Sequence, residues 1–345
     1  MPTRIAFGSC SRYQKYPSQP VWDHLKGLNP DHLLLLGDQI YMDFGLKPFG
    51  GNLYEPKGMS FSNFVRTMHG HYRQQYAVPE FQQFLHSLEP GRVHCTWDDH
   101  DFAWNNAVGG CADEKHTVDA NIRKASRQLF EQYRRMLNQP ATDYPPLPDA
   151  VQVELAVPDL GGVQSSFVVE GVRVILLDLR TWADMPECGD WLIGKPWTDT
   201  GGPPPPAETE SGWQDYWLQN ELAQPEQEII LCSSLTLTKG TSWDDYAPAY
   251  NRLMDLLHSR NRKVLFLSGD IHVNHLKTHA NRGWTYPIHE ATSSGFAIHG
   301  YKASYFGDLR NSGCLDIDAD RITVKLFRDV SQPDGELSFS RTTWR

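Results

Sequence analysis

One stretch, HLLLLGDQIYMD at residues 32–43, constrains the fold more than any other part of the sequence. It begins with an unbroken apolar run, Leu33–Leu36, which Gly37 ends. A short continuous apolar run bounded by a glycine is typical of a strand buried on both faces. Asp38 and Tyr41 follow at once, at the position where open α/β sheets bind their ligands. The stretch therefore predicts a central strand that delivers polar side chains to a site.

The same pattern of a buried strand followed by acids or histidines recurs twice. Val93–Trp97 is mostly apolar and leads into four polar residues at 98–101, with the sequence DDHD. Val264–Leu267 is apolar and leads, after Ser-Gly, into Asp270 and His272. All three strands carry potential metal ligands directly after their carboxyl ends. We therefore expect these ends to converge on one multinuclear metal site.

The order of helical and strand patterns indicates the architecture. A helical apolar period at Pro20–Leu28 separates a strand at Arg4–Phe7 from the leucine strand, so these two strands are predicted to be parallel neighbours. Helices alternate with strands early in the chain, and antiparallel strands fill the later part. This order favours an α/β fold of two sheets with helices outside, interpreted as a single domain over residues 1–345. A Trp- and Pro-rich stretch at about 181–210 is predicted to be a lid or surface loop.

Three local patterns add detail. The helical period of Phe61–Leu88 is interrupted by Pro79, which predicts two helices. Alternation over Val151–Val157 predicts a β segment. Strand-like runs at Ser165–Val169 and Val172–Leu177, separated by Glu-Gly, predict a hairpin.

Composition excludes several classes of protein. A net charge of −10 and a pI near 5.8 argue against a general nucleic-acid binder or a membrane-surface binder, which would carry a basic patch. No apolar run approaches the roughly 18 residues of a membrane span, and no signal sequence is recognisable, so a cytoplasmic protein is expected. The six cysteines are scattered without a CxxC motif, which gives no zinc-ribbon or disulfide framework.

The candidate ligands suit the hydrolysis of phosphate esters. Paired metal ions lower the pKa of a bound water toward about 7 and bridge the attacking and leaving oxygens. Asp38, Asp99 and Asp270 are the carboxylate candidates, and His272 adds a nitrogen. Thiolate and phenolate groups stabilise ferric iron, whereas carboxylates suit calcium or magnesium. A set that also contains Cys10 and Tyr41 therefore indicates two kinds of metal in one site. These two residues could instead be a buried thiol and a half-buried aromatic.

Other residues are candidates for handling the proton and the substrate. His100 lies beside Asp99 and has the ordinary pKa that suits protonation of a leaving alcohol, with Asp101 as its orienting partner. Asn105 and Asn106 could bind a metal or a phosphate oxygen. Arg180 could hold an anion with its guanidinium fork or form an ordinary salt bridge. The alternative for Asp98 is a cap or an ion pair.

Five motifs taken in chain order resemble one known family. They are Gly8-Ser9-Cys10-Ser11, Leu36-Gly37-Asp38-Gln39-Ile40-Tyr41, Trp97-Asp98-Asp99-His100-Asp101 with Asn105-Asn106, Leu177-Asp178-Leu179-Arg180, and Leu267-Ser268-Gly269-Asp270-Ile271-His272. The set resembles the alkaline phosphatase D (PhoD-like) family, a branch of the calcineurin-like metallophosphoesterases, over roughly residues 4 to 330.

The resemblance implies a four-layer αββα sandwich of two mixed sheets and the hydrolysis of phosphomonoesters or phosphodiesters with iron and calcium. It places iron on Cys10, Asp38, Tyr41 and His272, and it places Asp38, Asp99 and Asp270 on the shared or calcium side. Asp101 stands where the family often has glutamate.

We therefore expect a phosphoester hydrolase in which a metal-activated hydroxide attacks phosphorus, Asp38 bridges the metals and His100 protonates the leaving group. Its partner is a small or polymeric phosphate ester. One competing hypothesis is an iron-binding oxidoreductase that uses Cys10 and Tyr41, although no GxGxxG or haem signature appears. Another is a non-catalytic metal-binding protein.

Overall fold

A computed structural model describes residues 2–43, 56–110, 115–140, 143–147, 161–185, 189, 191–198, 212–281, 283–298 and 310–345. The predicted β segment at 151–157 lies outside these residues, as does about half of the predicted lid at 181–210. In the parts of that lid that are described, 181–185, 189 and 191–198, the backbone forms turns and bends without a helix or strand.

The described residues form twelve strands and seven α-helices. The strands are β1 (Thr3–Gly8), β2 (His32–Leu36), β3 (Val93–Thr96), β4 (Ser165–Val169), β5 (Val172–Leu176), β6 (Glu228–Cys232), β7 (Lys263–Ser268), β8 (His275–His279), β9 (Ile288–Thr292), β10 (Asn311–Ile317), β11 (Arg321–Arg328) and β12 (Gln332–Ser340). The helices are α1 (Val21–Gly27), α2 (Phe61–Tyr76), α3 (Pro79–Leu85), α4 (Asp99–Phe102), α5 (Ala120–Asn138), α6 (Trp213–Leu222) and α7 (Ala247–Ser259).

The strands form two mixed sheets of six. The first has the order β12-β11-β10-β1-β2-β3, and the second has the order β4-β5-β6-β7-β9-β8. β1, β2 and β3 run parallel, as do β5, β6, β7 and β9. The predicted parallel pair β1–β2, the hairpin β4–β5 and the helix break before Pro79 are confirmed.

The leucine run of β2 explains how the layers stack. Successive side chains of a strand point to opposite faces, so a continuous apolar run supplies two cores. Leu33 and Leu35 face a core shared with α1, α2, α3 and α5, whereas Leu34 and Leu36 face a core between the two sheets. Burying each leucine contributes about 1.5–3 kcal/mol.

The second sheet repeats this arrangement with its own helices. Ile229 and Leu231 of β6 pack under α6 and α7, and Ile230 points into the core between the sheets. The layers are therefore helix, sheet, sheet, helix, and the predicted four-layer αββα sandwich is confirmed. None of the helices in the described part of the chain combines the length and apolar composition needed to cross a bilayer.

Candidate metal centre

The candidate site lies at the carboxyl ends of parallel strands from both sheets. Cys10 follows β1, Asp38 follows β2, Asp98 and Asp99 follow β3, and Asp270 follows β7. Because these strands are parallel within each sheet, their following loops lie side by side at one edge of the sandwich. The convergence predicted from three strand ends is therefore found, and β1 adds a fourth.

Backbone conformation at the ligand positions is unusual. Cys10, Asp38, Asp270 and His272 have φ angles of 66°, 55°, 67° and 57°. Residues other than glycine rarely adopt this left-handed region, because each instance costs about 1–3 kcal/mol and persists only where the surrounding structure enforces it. Four such residues in one cluster indicate that the loops are bent to aim these side chains inward.

Two glycines allow the loops to approach each other. Gly37 has a φ of 106°, and a Cβ there would lie 2.6 Å from Cβ of Asp98. A Cβ on Gly269 would lie 2.5 Å from Oγ of Ser9 and 3.1 Å from the carbonyl oxygen of Leu36. A larger residue at either position would force the loops apart and separate the potential ligands.

Asp38 is the common member of three groups of side chains that could each hold a metal ion. In each group the potential ligand atoms lie within 4.8 Å of one another, and the groups are Cys10–Asp38–His272, Asp38–Asp99–His100 and Asp38–Asp98–Asp270. Sγ of Cys10 lies 3.5 Å from Oδ2 of Asp38. The other carboxylate oxygen, Oδ1, is buried and has no hydrogen-bond partner among the described residues. A carboxylate in this position fits a bridging ligand.

Tyr41 and His272 complete the side of the site that carries the thiol. The hydroxyl of Tyr41 lies 3.3 Å from Nε2 of His272. The backbone N–H of His272 donates to Oγ of Ser294 at 2.9 Å, and that oxygen lies 3.4 Å from Sγ of Cys10. Ser294 was not predicted, although it follows β9, another parallel strand, and the same strand-end rule identifies it.

Without a cation, the site disfavours ionised ligands. Burial raises the pKa of Asp38, and the nearby Asp98 and Asp99 raise it further against the charge of His100. Burial raises the pKa of Asp270 to about 8 and lowers that of His272 to about 4. Burial also raises the pKa of Cys10 and of Tyr41. Uncompensated buried carboxylates beside an unprotonated imidazole are the electrostatics expected of a cation site, so these residues fit a metal centre.

His100 is held by Asp43 and not by Asp101. Nδ1 of His100 lies 2.6 Å from Oδ1 of Asp43, with both side chains buried. Asp101 instead accepts backbone N–H groups from Gln39, Ile40 and Asp98, so it shapes the two ligand loops. The prediction that Asp101 orients His100 is therefore wrong, because its carboxylate is already occupied by the backbone.

The charge state of His100 depends on the surrounding acids. Burial alone would lower its pKa, but the charges of Asp99 and Asp38 and the hydrogen bond to Asp43 raise it to about 10. The imidazole is therefore in its protonated, positively charged form at neutral pH when no metal is bound. Its Nδ1–H donates to Asp43, and the protonated ring also carries a proton on Nε2.

Arg180 forms a buried ion pair with Asp98. Its Nε and Nη2 lie 2.6 Å and 2.5 Å from Oδ1 of Asp98, and Nη2 lies 4.0 Å from Oδ1 of Asp99. The charge of Arg180, followed by that of His100, overcomes the effect of burial and lowers the pKa of Asp99. The sequence predicts a cap or an ion pair for Asp98, and the structure shows both. Asp98 forms the capping box of α4 and the ion pair, and it also belongs to a ligand group with Asp38 and Asp270.

Asn105 and Asn106 reach the site through their backbones. The N–H of Asn105 donates to Oδ2 of Asp43 at 2.8 Å, and the N–H of Asn106 donates to Oδ2 of Asp99 at 2.6 Å. The side chain of Asn105 is exposed at the rim. Roles for either side chain in binding metal or substrate stay predictions.

A comparison with models of protein families shows to which family the chain belongs. A family model described as PhoD-like phosphatase matches residues 5–299. The chain belongs to the PhoD-like phosphatase family. This PhoD-like protein has no match among curated proteins in a sequence comparison.

Of three solved structures compared with this PhoD-like protein, one shares its fold. A dimetal phosphatase from Danio rerio has a TM-score of 0.51 and 13% identity, with 99% of each chain covered. A predicted phosphoesterase from Streptococcus pneumoniae has a TM-score of 0.36 and 9% identity, also with 99% of each chain covered. The phosphoesterase Yfce from E. coli has a TM-score of 0.31 and 9% identity, and 97% of this chain and 98% of that chain are covered. At these identities the similarity to the Danio rerio structure concerns the fold alone.

Proposed function

We propose that this protein is a metal-dependent hydrolase of phosphate esters, acting on monoesters, diesters or both. The observation that carries the proposal is the position of Asp38, which belongs to three potential ligand groups at once. A carboxylate shared between ligand groups is what a two-metal site needs, and two-metal sites are typical of phosphatases. Membership of the PhoD-like phosphatase family and the fold shared with a dimetal phosphatase support the proposal.

We assign a ferric ion to Cys10, Asp38, Tyr41 and His272. The pKa of the thiol and that of the phenol are both raised by burial, so these groups ionise in place only when a strongly attracting cation is present. Ferric iron stabilises both thiolate and phenolate ligands. We assign the second ion, calcium, to the carboxylates of Asp38, Asp99 and Asp270, with Asp98 as an added candidate, because oxygen ligands suit a hard cation.

Two bound metal ions would lower the pKa of a water toward about 7 and neutralise phosphate oxygens. The chain itself supplies the proton for the leaving alcohol. His100 directs Nδ1–H to Asp43, so Nε2–H is the proton that it can donate to the leaving oxygen. Asp43 fixes the orientation of the ring, and the ring of Tyr41, with its centroid 4.4 Å from that of His100, packs beside it.

Substrate oxygens are assigned to Arg180, Asn105 and Asn106. Nε and Nη2 of Arg180 both point to Asp98, so its contact with a substrate phosphate would be made by Nη1. The side chain of Asn105 is exposed at the rim, where an entering ester first meets the protein. The cytoplasmic location, the single-domain organisation and the lack of general nucleic-acid binding stay predictions.

The test combines metal analysis with kinetics. The purified protein should contain stoichiometric iron and a second metal, and it should hydrolyse p-nitrophenyl phosphate, bis(p-nitrophenyl) phosphate or both. Asp38→Asn and His272→Ala should abolish turnover and reduce the metal content. Matched variants at exposed positions, Asp23→Asn in α1 and His86→Ala after α3, should retain both. Unchanged turnover in both site variants would end the proposal.

The metal assignment has its own test. Ferric phenolate complexes absorb visible light, so the purified protein should be coloured and Tyr41→Phe should remove that band. Metal analysis of the same variant should still find the second ion. A colourless protein that contains no iron and hydrolyses phosphate esters would overturn the assignment of iron while leaving the hydrolase proposal intact.

A further inference from the structure

A row of basic side chains, here called the cationic groove, lies along β8. This strand is the edge of the second sheet and begins three residues after the potential ligand His272. Its residues His275, Lys277 and His279 lie opposite Thr292, Glu290 and Ile288 of β9. Directly opposed residues share a face, and Ile288 packs in the core beneath α6 and α7, so the three basic residues lie on the outer face beside α7.

The loop that follows β6 adds a second cation to this face. Nζ of Lys239 lies 3.5 Å from Nδ1 of His275, and Nζ of Lys277 donates to Oγ1 of Thr238 at 2.7 Å. Gly240 fixes this loop beside the site, because a Cβ there would lie 2.6 Å from Cγ2 of Ile271, the residue between two potential ligands. The loop that carries Lys239 therefore lies against the segment between Asp270 and His272.

The positive charge of the groove is not neutralised by neighbouring acids. Neither Lys239 nor Lys277 forms an ion pair with any residue in the described part of the chain, and both are exposed. Glu290, the acid nearest on the strand, is committed to the N–H of Leu237 at 2.7 Å and to Nε2 of His279 at 2.7 Å. In a chain with a net charge of −10, these two lysines therefore keep a local positive charge near the proposed phosphoester site.

The groove opens into a cavity that could hold an organic group. The cavity has a volume of about 480 Å³ and lies between α7 and β8, with Lys277 and His279 on one side and Tyr250 and Met254 on the other. The stacked rings of His258 and Trp284, with centroids 3.8 Å apart, border it. Asp255 is the acidic residue in this lining. This size is in the range of small-molecule sites.

We propose that Lys239 and Lys277 bind a second phosphate group of the same substrate molecule, so that the enzyme prefers extended esters with two or more phosphates. This inference rests on the proposed function, since the metal centre would hold the phosphate that is cleaved. The cavity would take the organic unit beyond the second phosphate. Lysine acts here as a mobile point charge, which suits a phosphate that is positioned but not cleaved.

Binding of matched nucleotides tests the groove without requiring turnover. Thymidine 3′,5′-bisphosphate should bind the metal-loaded protein about tenfold more tightly than thymidine 5′-monophosphate, a difference equal to about 1.4 kcal/mol. Isothermal titration calorimetry measures both affinities. The Lys239→Gln/Lys277→Gln double variant should lose the preference, and Lys239→Arg/Lys277→Arg should keep it. Added salt should reduce the preference, because exposed charges are screened.

The controls separate this inference from the proposed function. Lys26→Gln/Lys124→Gln removes the same charge from α1 and α5 and should leave the preference unchanged. A preference that survives in the Lys239→Gln/Lys277→Gln variant, or that is absent from the wild-type protein, would overturn the groove. Hydrolysis of p-nitrophenyl thymidine 5′-phosphate is measured in parallel. If neither this diester nor the monoester p-nitrophenyl phosphate is hydrolysed while the binding preference persists, the hydrolase is rejected and the groove is not.

Discussion

Replacement of Asp43 by asparagine tests whether His100 acts as the proton donor. The carboxylate accepts Nδ1–H of His100 at 2.6 Å and the backbone N–H of Asn105 at 2.8 Å. Asparagine has nearly the same shape, so it can retain the contact to Asn105. The asparagine lacks the negative charge that stabilises the protonated ring of His100. Asp43 belongs to none of the potential ligand groups, so metal content should be unchanged.

The size of the effect follows from what Asp43 supplies. Carboxylates that orient a catalytic or metal-bound histidine typically contribute 10- to 100-fold, so kcat/KM should fall by about that factor, or about 1.4–2.7 kcal/mol. Asp43 is one of three acids that raise the pKa of His100, and metal ions would neutralise the other two, Asp38 and Asp99. Removing Asp43 therefore lowers the pKa of the ring. Activity that needs the protonated ring should then be lost at a lower pH.

Two substrates distinguish loss of an acid from general damage. p-Nitrophenolate leaves readily without a proton, whereas an alkoxide does not. Asp43→Asn should therefore slow hydrolysis of a simple alkyl phosphate far more than hydrolysis of p-nitrophenyl phosphate. Asp43→Glu, which restores the charge, should recover part of the alkyl phosphate rate. Asp23→Asn, at an exposed position of α1, is the matched control.

The assay has a clear refuting result. If Asp43→Asn slows both esters equally and the alkaline side of the pH profile stays in place, His100 does not donate the proton. A loss of metal in the variant would mean instead that Asp43 supports the metal ligands. Measuring metal content on the same samples separates these two outcomes.

Two further predictions concern stability. The melting temperature of the metal-free protein should fall as the pH rises from about 6.5 to 10. The pKa of Asp270 is raised to about 8 and that of His100 to about 10. Over this range the folded state therefore holds protons that the unfolded chain has released, and raising the pH destabilises it. His272, with its pKa lowered to about 4, opposes this trend only below about pH 6.5, and a flat or rising melting temperature would contradict the electrostatics. Gly37→Ala should destabilise the protein by about 1–3 kcal/mol or more in urea unfolding, because its φ is 106° and the new Cβ would meet Asp98. Gly27→Ala, with nothing within 4 Å, is the matched control, and equal stability of the two variants would refute the packing argument.

The sequence identifies the parts of the fold that local patterns dictate. The apolar run of β2 and the apolar strands β3 and β7 predict buried strands because their length and composition allow little else. Their following residues predict the potential ligands because the carboxyl ends of parallel strands meet at one edge. The start of β12 is not apparent from the sequence, because its first half, QPDG, is polar and mostly exposed.

The sequence does not identify the pairing of charged side chains within the site. Asp98, Asp99 and Asp101 lie within four residues, and the turn into α4 determines the partner of each. Asp98 pairs with Arg180, Asp99 joins a potential ligand group, and Asp101 accepts backbone N–H groups. No sequence pattern identifies Asp43 as a site residue, because it lies beyond Tyr41 and outside the strand. Its contact with His100 spans 57 residues of sequence and depends on tertiary structure.

The electrostatics of the centre indicate what the metal contributes to the fold. Asp98 forms an ion pair with Arg180, and Asp101 accepts hydrogen bonds from backbone N–H groups. Asp38 and Asp270 lack an equivalent partner, and burial raises the pKa of each. At neutral pH the metal-free protein must therefore either protonate these two acids or bury their negative charge. Either state costs free energy relative to a carboxylate in water. Ligands that bind only the folded state stabilise it by mass action, so metal binding and folding should be coupled through these two carboxylates.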